Sequence, residues 1–528
     1  MASDAALRAY PRLAAASVEI DQHHYDAAAK QVILHLREYP NEPRGTALLG
    51  MIALKTGALI QAEQFLRRAM SLGLQTIEVQ RELASTLYQQ ERLGDALKAF
   101  TFLQERSTDP QIAATRALIL YKLDRNEEAL SAHEALLKLS SNVPQYWMAY
   151  GHALRAAGRT DDAVAAYRKV ISIESEYGEA WWGIANIKSK VLTDTDIEAM
   201  DEALRTAVDS RNIVPLHFAI GRAWHDRHDY PKAFQHFSAA NELRASEVRY
   251  DPEELTGEVS EFIRSFDPGK KLLPDGGPTS EPTPVFVISM PRSGSTLLEQ
   301  MLDRHHSIEA VGELPYIRAL IRSMLEIHTR REPIKVPELI QRLTDEDKRA
   351  LGADYMQRAG LHRLRDTPFF VDKMPMNWSD VLFIREILPQ ARFIEIRRNG
   401  MDCGFSNYVH FFSRAHASSF DLTHIGRTYT DYVRLMDQIR TAAPGMMQHI
   451  RYEELIAEPE PVLRKALYYL GLEWDDAVLR FYESDRVVRT PSAEQVRRPL
   501  NRQGIGAWKP YAEWLGPLRA ALGPLADA

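Results

Sequence analysis

A single cysteine, Cys403, stands among 528 residues. That excludes an intramolecular disulfide, and one thiol cannot by itself hold a zinc ion; both point to a reducing compartment. No run of about 18 apolar residues occurs, so no membrane span is expected. The opening residues, MASDAALRAYPRL, lack the apolar stretch of a secretion signal, and the expected location is cytoplasmic. Positive charge is not in excess either. With 65 basic and 72 acidic side chains the net charge is −7, which gives no general field for nucleic acid. Any anion site must therefore be built locally. Apolar residues at 45% and charged residues at 26% are ordinary for a globular protein. The chain is more than three times the length of an average domain of about 150 residues, so several domains are expected.

What the first half does have is a period. A small residue recurs at Ala16, Gly50, Ala84, Ala117, Gly151, Ala185 and Gly221, with gaps of 34, 34, 33, 34, 34 and 36. Twelve residues after most of these comes an alanine: Ala28, Ala62, Ala96, Ala129, Ala163 and Ala233, with Ile197 as the exception. Small residues where two antiparallel helices cross let the backbones approach, and bulky neighbours such as Trp147, Tyr150 and Tyr167 fill the groove. The pattern resembles the tetratricopeptide repeat. That resemblance implies an all-α solenoid over residues 1–245, whose concave face holds peptides or partner proteins. His23, His24 and the group His225, Asp226, His228 and Asp229 fall in inter-helix turns and read as solvated polar residues rather than metal ligands. Residues 246–283 read as a helix followed by a linker rich in Pro, Gly, Ser and Thr.

The second half, residues 284–528, opens on a short strand, Val285 to Ser289, then the loop Met290-Pro291-Arg292-Ser293-Gly294-Ser295-Thr296, then a helix. Unpaired N–H groups at a helix start, with the helix dipole behind them, make an anion site. The Gly-Lys pair of a Walker A loop is missing, and Arg292 supplies the cation instead. A second strand, Phe393 to Ile396, leads to Arg398 and, eight residues on, Ser406, which are able to converge on another phosphate.

The sequence PRSGST followed by R-N-x-x-D-x-x-x-S resembles the sulfotransferase family, whose donor is 3′-phosphoadenosine 5′-phosphosulfate (PAPS) and whose product is PAP. Further motifs resemble the tyrosylprotein sulfotransferase branch: PRSGSTLL…MLDRH at 291–305, Asp372-Lys373-Met374-Pro375, Arg451-Tyr452-Glu453-Glu454-Leu455, and SAEQVRRPLN at 492–501. The resemblance implies an α/β P-loop-like domain with a central parallel sheet. It places Arg292, Ser293, Gly294, Ser295 and Thr296 on the 5′-phosphosulfate, and Arg398 and Ser406 on the 3′-phosphate. Tyr452, Arg497, Arg498 and Asn501 would complete the nucleotide site.

By the same resemblance Glu313 is the general base, with Glu309 as the weaker alternative, Lys373 and Arg292 stabilise the leaving oxygen, and Ser492 is a transition-state serine. Sulfuryl groups carry less negative charge than phosphoryl groups, so fixed cations suffice and no metal is expected. The family's arginine four positions after the 3′-phosphate serine is His410 here, and its lysine before the tryptophan is Ala507. The reading is a PAPS-dependent sulfotransferase whose acceptor is a peptide tyrosine, a protein or a small hydroxylated molecule, with protein contacts through the repeats. A homodimer stays open. Two other readings compete: a phosphotransferase of another P-loop class, and a repeat scaffold carrying an inactive transferase domain.

Overall fold

In the computed structural model of the chain, the described residues are 10–187, 191–265, 282–329, 333–412, 416–484, 486 and 496–527. Much of the expected linker, 266–281, lies outside them. Among the described residues seven helix pairs run from Pro11 to Glu247. Both sets of alanines are buried, most of them with no exposed surface at all, and Ile197 is buried in the pair that departs from the pattern. The glycines mark the closest crossings. A methyl group built on Gly50 would lie 2.7 Å from Leu66 Cγ, and one on Gly221 would lie 2.7 Å from Phe237 Cε1. Tyr167 presses on Gly151 in the same way. In each case the partner sits sixteen residues on, so the small residue and its bulky partner are one feature of the period.

The chain divides into two compact units. One contains the residues up to Ser141 together with Pro315–Arg342 and Ala353–His362. Within it, side chains from the later segments meet the turns of successive hairpins. Glu326 accepts from the N–H groups of Ile60 and Gln61 at 2.9 and 3.0 Å, at the start of the helix Leu59–Ser71. Arg322 donates to the Gln89 carbonyl at 2.6 Å and Arg358 to that of Gln90 at 2.9 Å. His362 lies between the Tyr316 hydroxyl at 2.6 Å and Asp124 at 3.1 Å.

The other unit holds Asn142–Leu314, Leu343–Gly352 and Arg363–Ala528, so the last three hairpins belong with the sheet. Five parallel strands form that sheet: β1 Thr283–Ile288, β2 Ile308–Gly312, β3 Phe369–Asp372, β4 Arg392–Arg397 and β5 Met447–Arg451. Their order is β2-β3-β1-β4-β5, with β1 in the middle. Val285, Val287, Val371, Ile394 and Ile396 are buried, as a sheet covered on both faces requires. The hairpins pack on the helix Gly400–Tyr408. Asn241, itself buried, donates to the Tyr408 carbonyl at 2.9 Å, and Phe234 stacks on the Tyr408 ring. Trp182 and Phe218 meet His410 and Phe411 edge-on or tilted. No helix among the described residues is long and apolar enough to cross a membrane.

Candidate active site

Parallel strands deliver their following loops to one edge, and ligands of such sheets bind there. Each of the five strands is followed directly by a residue or loop that the motifs single out. β2 leads into Glu313, β3 into Lys373, β1 into the 289–296 loop, β4 into Arg398 and β5 into Tyr452. The strand order therefore lines them up along the edge as base candidate, lysine, anion loop, arginine and tyrosine.

The anion loop is shaped by two left-handed residues. Arg292 has φ +66° and Gly294 φ +94°. For arginine that conformation costs about 1–2 kcal/mol, strain of the kind that collects at ligand-binding turns. Gly294 caps the helix Ser295–Asp303 without a side chain, leaving the first N–H groups of the helix for a ligand. The Tyr452 ring lies where a Cβ on Gly294 would go. Ser293, Ser295 and Thr296 are buried in the loop.

Arg398 reaches this loop from β4. Its Nη1 donates to the Arg292 carbonyl at 2.8 Å and its Nη2 to the Gly504 carbonyl, with Tyr452 beneath it, 5.3 Å from the ring centre. Among the described residues its buried Nε has no hydrogen-bond partner, and its Nη2 is 3.9 Å from an Asp402 carboxylate oxygen. Arg292 Nε donates to Ser406 Oγ at 3.3 Å. Burial first, then the charges of Arg398 and Arg222, push the Arg292 guanidinium down to about 10. The charges of Arg398 and Arg222 both act on Arg292, and such a concentration of positive charge at the loop suits a multiply charged anion. Cys403 sits behind the loop, 3.4 Å from Ser293 Oγ, and burial pushes its thiol up to about 11, as suits an inert packing residue.

At the other end of the edge Lys373, fully buried, is ion-paired with Glu313. The backbone fixes this meeting, because the Lys373 N–H donates to the Gly312 carbonyl at 2.8 Å. Glu309 is turned away and accepts from the N–H groups of Leu364 and Arg365. On β4, Glu395 is buried among Tyr432, His449 and Arg397 at 2.5, 2.6 and 2.9 Å. Burial alone would raise its carboxyl, but His449, Arg397 and Tyr432 outweigh it and bring it down to about 2.

The remaining expected residues lie elsewhere. Ser492 is outside the described residues. Arg497 sets its guanidinium against Gly158 of a hairpin turn, and Arg498 and Asn501 are exposed. The backbone just beyond them does reach the site: Gly506 N–H donates to Asp402 at 2.7 Å, beside the Gly504 contact with Arg398. Residues without a motif signal also appear. Arg222, from the helix Ser210–Asp226, adds charge near Arg292, and His416, in a cavity with Met290, Pro291 and Asn407, feels the charge of Glu313. Of the histidines in the hairpin turn, His225 bonds the Tyr511 hydroxyl and His228 that of Tyr230, while Asp226 pairs with Arg222.

Residues 284–476 match the sulfotransferase family model, and residues 114–180 match that of the tetratricopeptide repeat. Over 437 residues the chain is 28% identical to an uncharacterized protein of Aquifex aeolicus (strain VF5), covering 81% of this chain and 56% of that one. Over 238 residues it is 26% identical to protein-tyrosine sulfotransferase 1 of Danio rerio, covering 42% and 65%. The chain thus spans less than two thirds of the length of either relative. A sulfotransferase domain from the curacin biosynthetic pathway overlaps 47% of this chain and 98% of its own at 19% identity and a TM-score of 0.33, a likeness too slight to argue from. The chain joins a segment of tetratricopeptide repeats to a segment of the sulfotransferase family.

Proposed function

We propose that this chain transfers a sulfuryl group from PAPS to an acceptor hydroxyl, with a peptide tyrosine as the first acceptor to try. The observation that carries the proposal is the meeting of Arg398 with the loop at Arg292, two cations from distant stretches of sequence at one short edge of the sheet. The loop 292–296 takes the 5′-phosphosulfate and Arg398 with Ser406 the 3′-phosphate. Tyr452 lies under the nucleotide, and the backbone at Gly504 and Gly506, just beyond Arg497, Arg498 and Asn501, borders it.

Glu313 accepts the proton as the acceptor oxygen forms its bond to sulfur. The bond from sulfur to the 5′-phosphate oxygen breaks with its electron pair, and Lys373 and Arg292 balance the charge that gathers there. In the structure Lys373 holds Glu313, so the base comes free only when donor oxygens draw the ammonium away. That order of events keeps the base masked until the donor is in place. Fixed cations supply the charge without a metal. The repeats, residues 1–245, bind the acceptor or a partner protein, and the transferase domain is 284–528.

PAP is expected to raise the melting temperature and ATP is not. Arg398→Ala should weaken PAP binding on the order of 10- to 100-fold, the worth of charged hydrogen bonds lost. Labelled PAPS offered with a panel of peptides and metabolites, read by mass spectrometry, identifies the acceptor. A protein that binds ATP as well as PAP, or an Arg398→Ala variant with unchanged PAP affinity, would reject the donor assignment.

A further inference from the structure

Lys373 has a second carboxylate beside it that no motif accounts for. Glu299 lies on the helix Ser295–Asp303, where a glutamate among Leu298, Gln300 and Met301 would read as a solvated charge. Instead it is 2% exposed. One of its oxygens is 3.9 Å from Lys373 Nζ, and the other accepts from Arg486 Nη1 at 3.0 Å. The Arg486 guanidinium also lies beside Gly312, the residue before Glu313. The four charges alternate: Arg486, Glu299, Lys373, Glu313.

We infer that Glu299 is a positioning residue for sulfuryl transfer, sharing the Lys373 ammonium so that Glu313 can be released to act as the base. The inference rests on the sulfotransferase reading above. A buried ammonium stays charged only with a counter-ion, and a lysine with one carboxylate partner locks onto it. With two partners, Lys373 keeps a buried counter-ion when it turns toward the donor, and Glu313 is freed to take the acceptor's proton. Arg486 balances the charge of Glu299, so the group is neutral before the donor enters. Among the described residues His416 also feels the charge of Glu313. The proton, the sulfur–oxygen bonds and the leaving oxygen are as set out above; Glu299 takes no part in bond making.

The test is Glu299→Gln in the full-length protein, with Glu299→Asp as the conservative partner. Loss of that charge leaves Lys373 to Glu313 alone. The turnover number should fall by on the order of 10-fold or more while PAP affinity stays within about two-fold. The loss should fall on kcat and leave the KM for the acceptor nearly unchanged, because Glu313 stays held by Lys373 after both substrates have bound. Glu299→Asp should restore kcat toward its wild-type value. A purely structural role predicts a lower melting temperature with PAP binding and KM impaired along with kcat, and that result overturns the inference, as does a wild-type turnover number in Glu299→Gln. Failure of the wild-type protein to bind PAP or transfer sulfate would instead strike the underlying sulfotransferase reading.

Discussion

At the residue scale, the chemistry turns on which charges lack partners and which are shared. Among the described residues Arg398 carries an unpartnered buried Nε beside the loop, and Glu313 is held by Lys373. Glu313→Gln keeps the shape of that contact and removes the proton acceptor. It should lower turnover by about 10²- to 10⁴-fold and leave PAP affinity nearly unchanged, measured by single-turnover rates and calorimetry. Retained turnover would move the base to a neighbour. Much of this candidate site is legible in the sequence, because glycine and serine between a strand and a helix, and an arginine after a second strand, are what a local anion site needs. Glu299 and Arg222 are not legible in that way. A glutamate on a helix and an arginine in a repeat look solvated until the fold shows what covers them.

At the scale of the element, the strands explain why distant motifs meet. β1 and β4, and the strand pattern at Phe369 to Val371, stand out as β-branched and aromatic runs. β2 and β5 do not, since β2 carries Glu309 and Gly312 and β5 contains Gln448 and His449 in place of an apolar run. β4 also carries a buried ionic group. The Glu395 carboxyl is held below its unfolded value of about 4.3, so its stabilisation is present above that pH and is lost as pH falls toward 2. Glu395→Gln breaks a buried network and should cost about 3–5 kcal/mol near neutral pH. Its melting temperature should also depend less on pH between about 5 and 2 than that of the wild type. Parallel melting curves for the two proteins across that range would refute the assignment.

For the whole molecule, the 34-residue period announces the repeats, yet nothing in the period tells which hairpins share a core with the sheet. The structure assigns the last three to it, through Trp182, Phe218, Phe234 and Asn241. Deleting residues 1–245 strips those side chains from Tyr408, His410 and Phe411. The remainder should therefore melt earlier and lose donor binding along with acceptor use. A truncated protein with the wild-type melting temperature and PAP affinity would show the hairpins to be dispensable.

The turn contacts of the other unit work as a ruler. Glu326 engages the turn at 60, Arg322 and Arg358 the turn at 89–90, and His362 the turn at 124. Free solenoids gain and lose whole modules, since each touches only its neighbours. Here, splicing one 34-residue module between the second and fourth hairpins would carry Asp124 a full step away from His362 while Glu326 stayed at its turn. The number of modules in that stretch is set by the spacing of side chains some two hundred residues downstream.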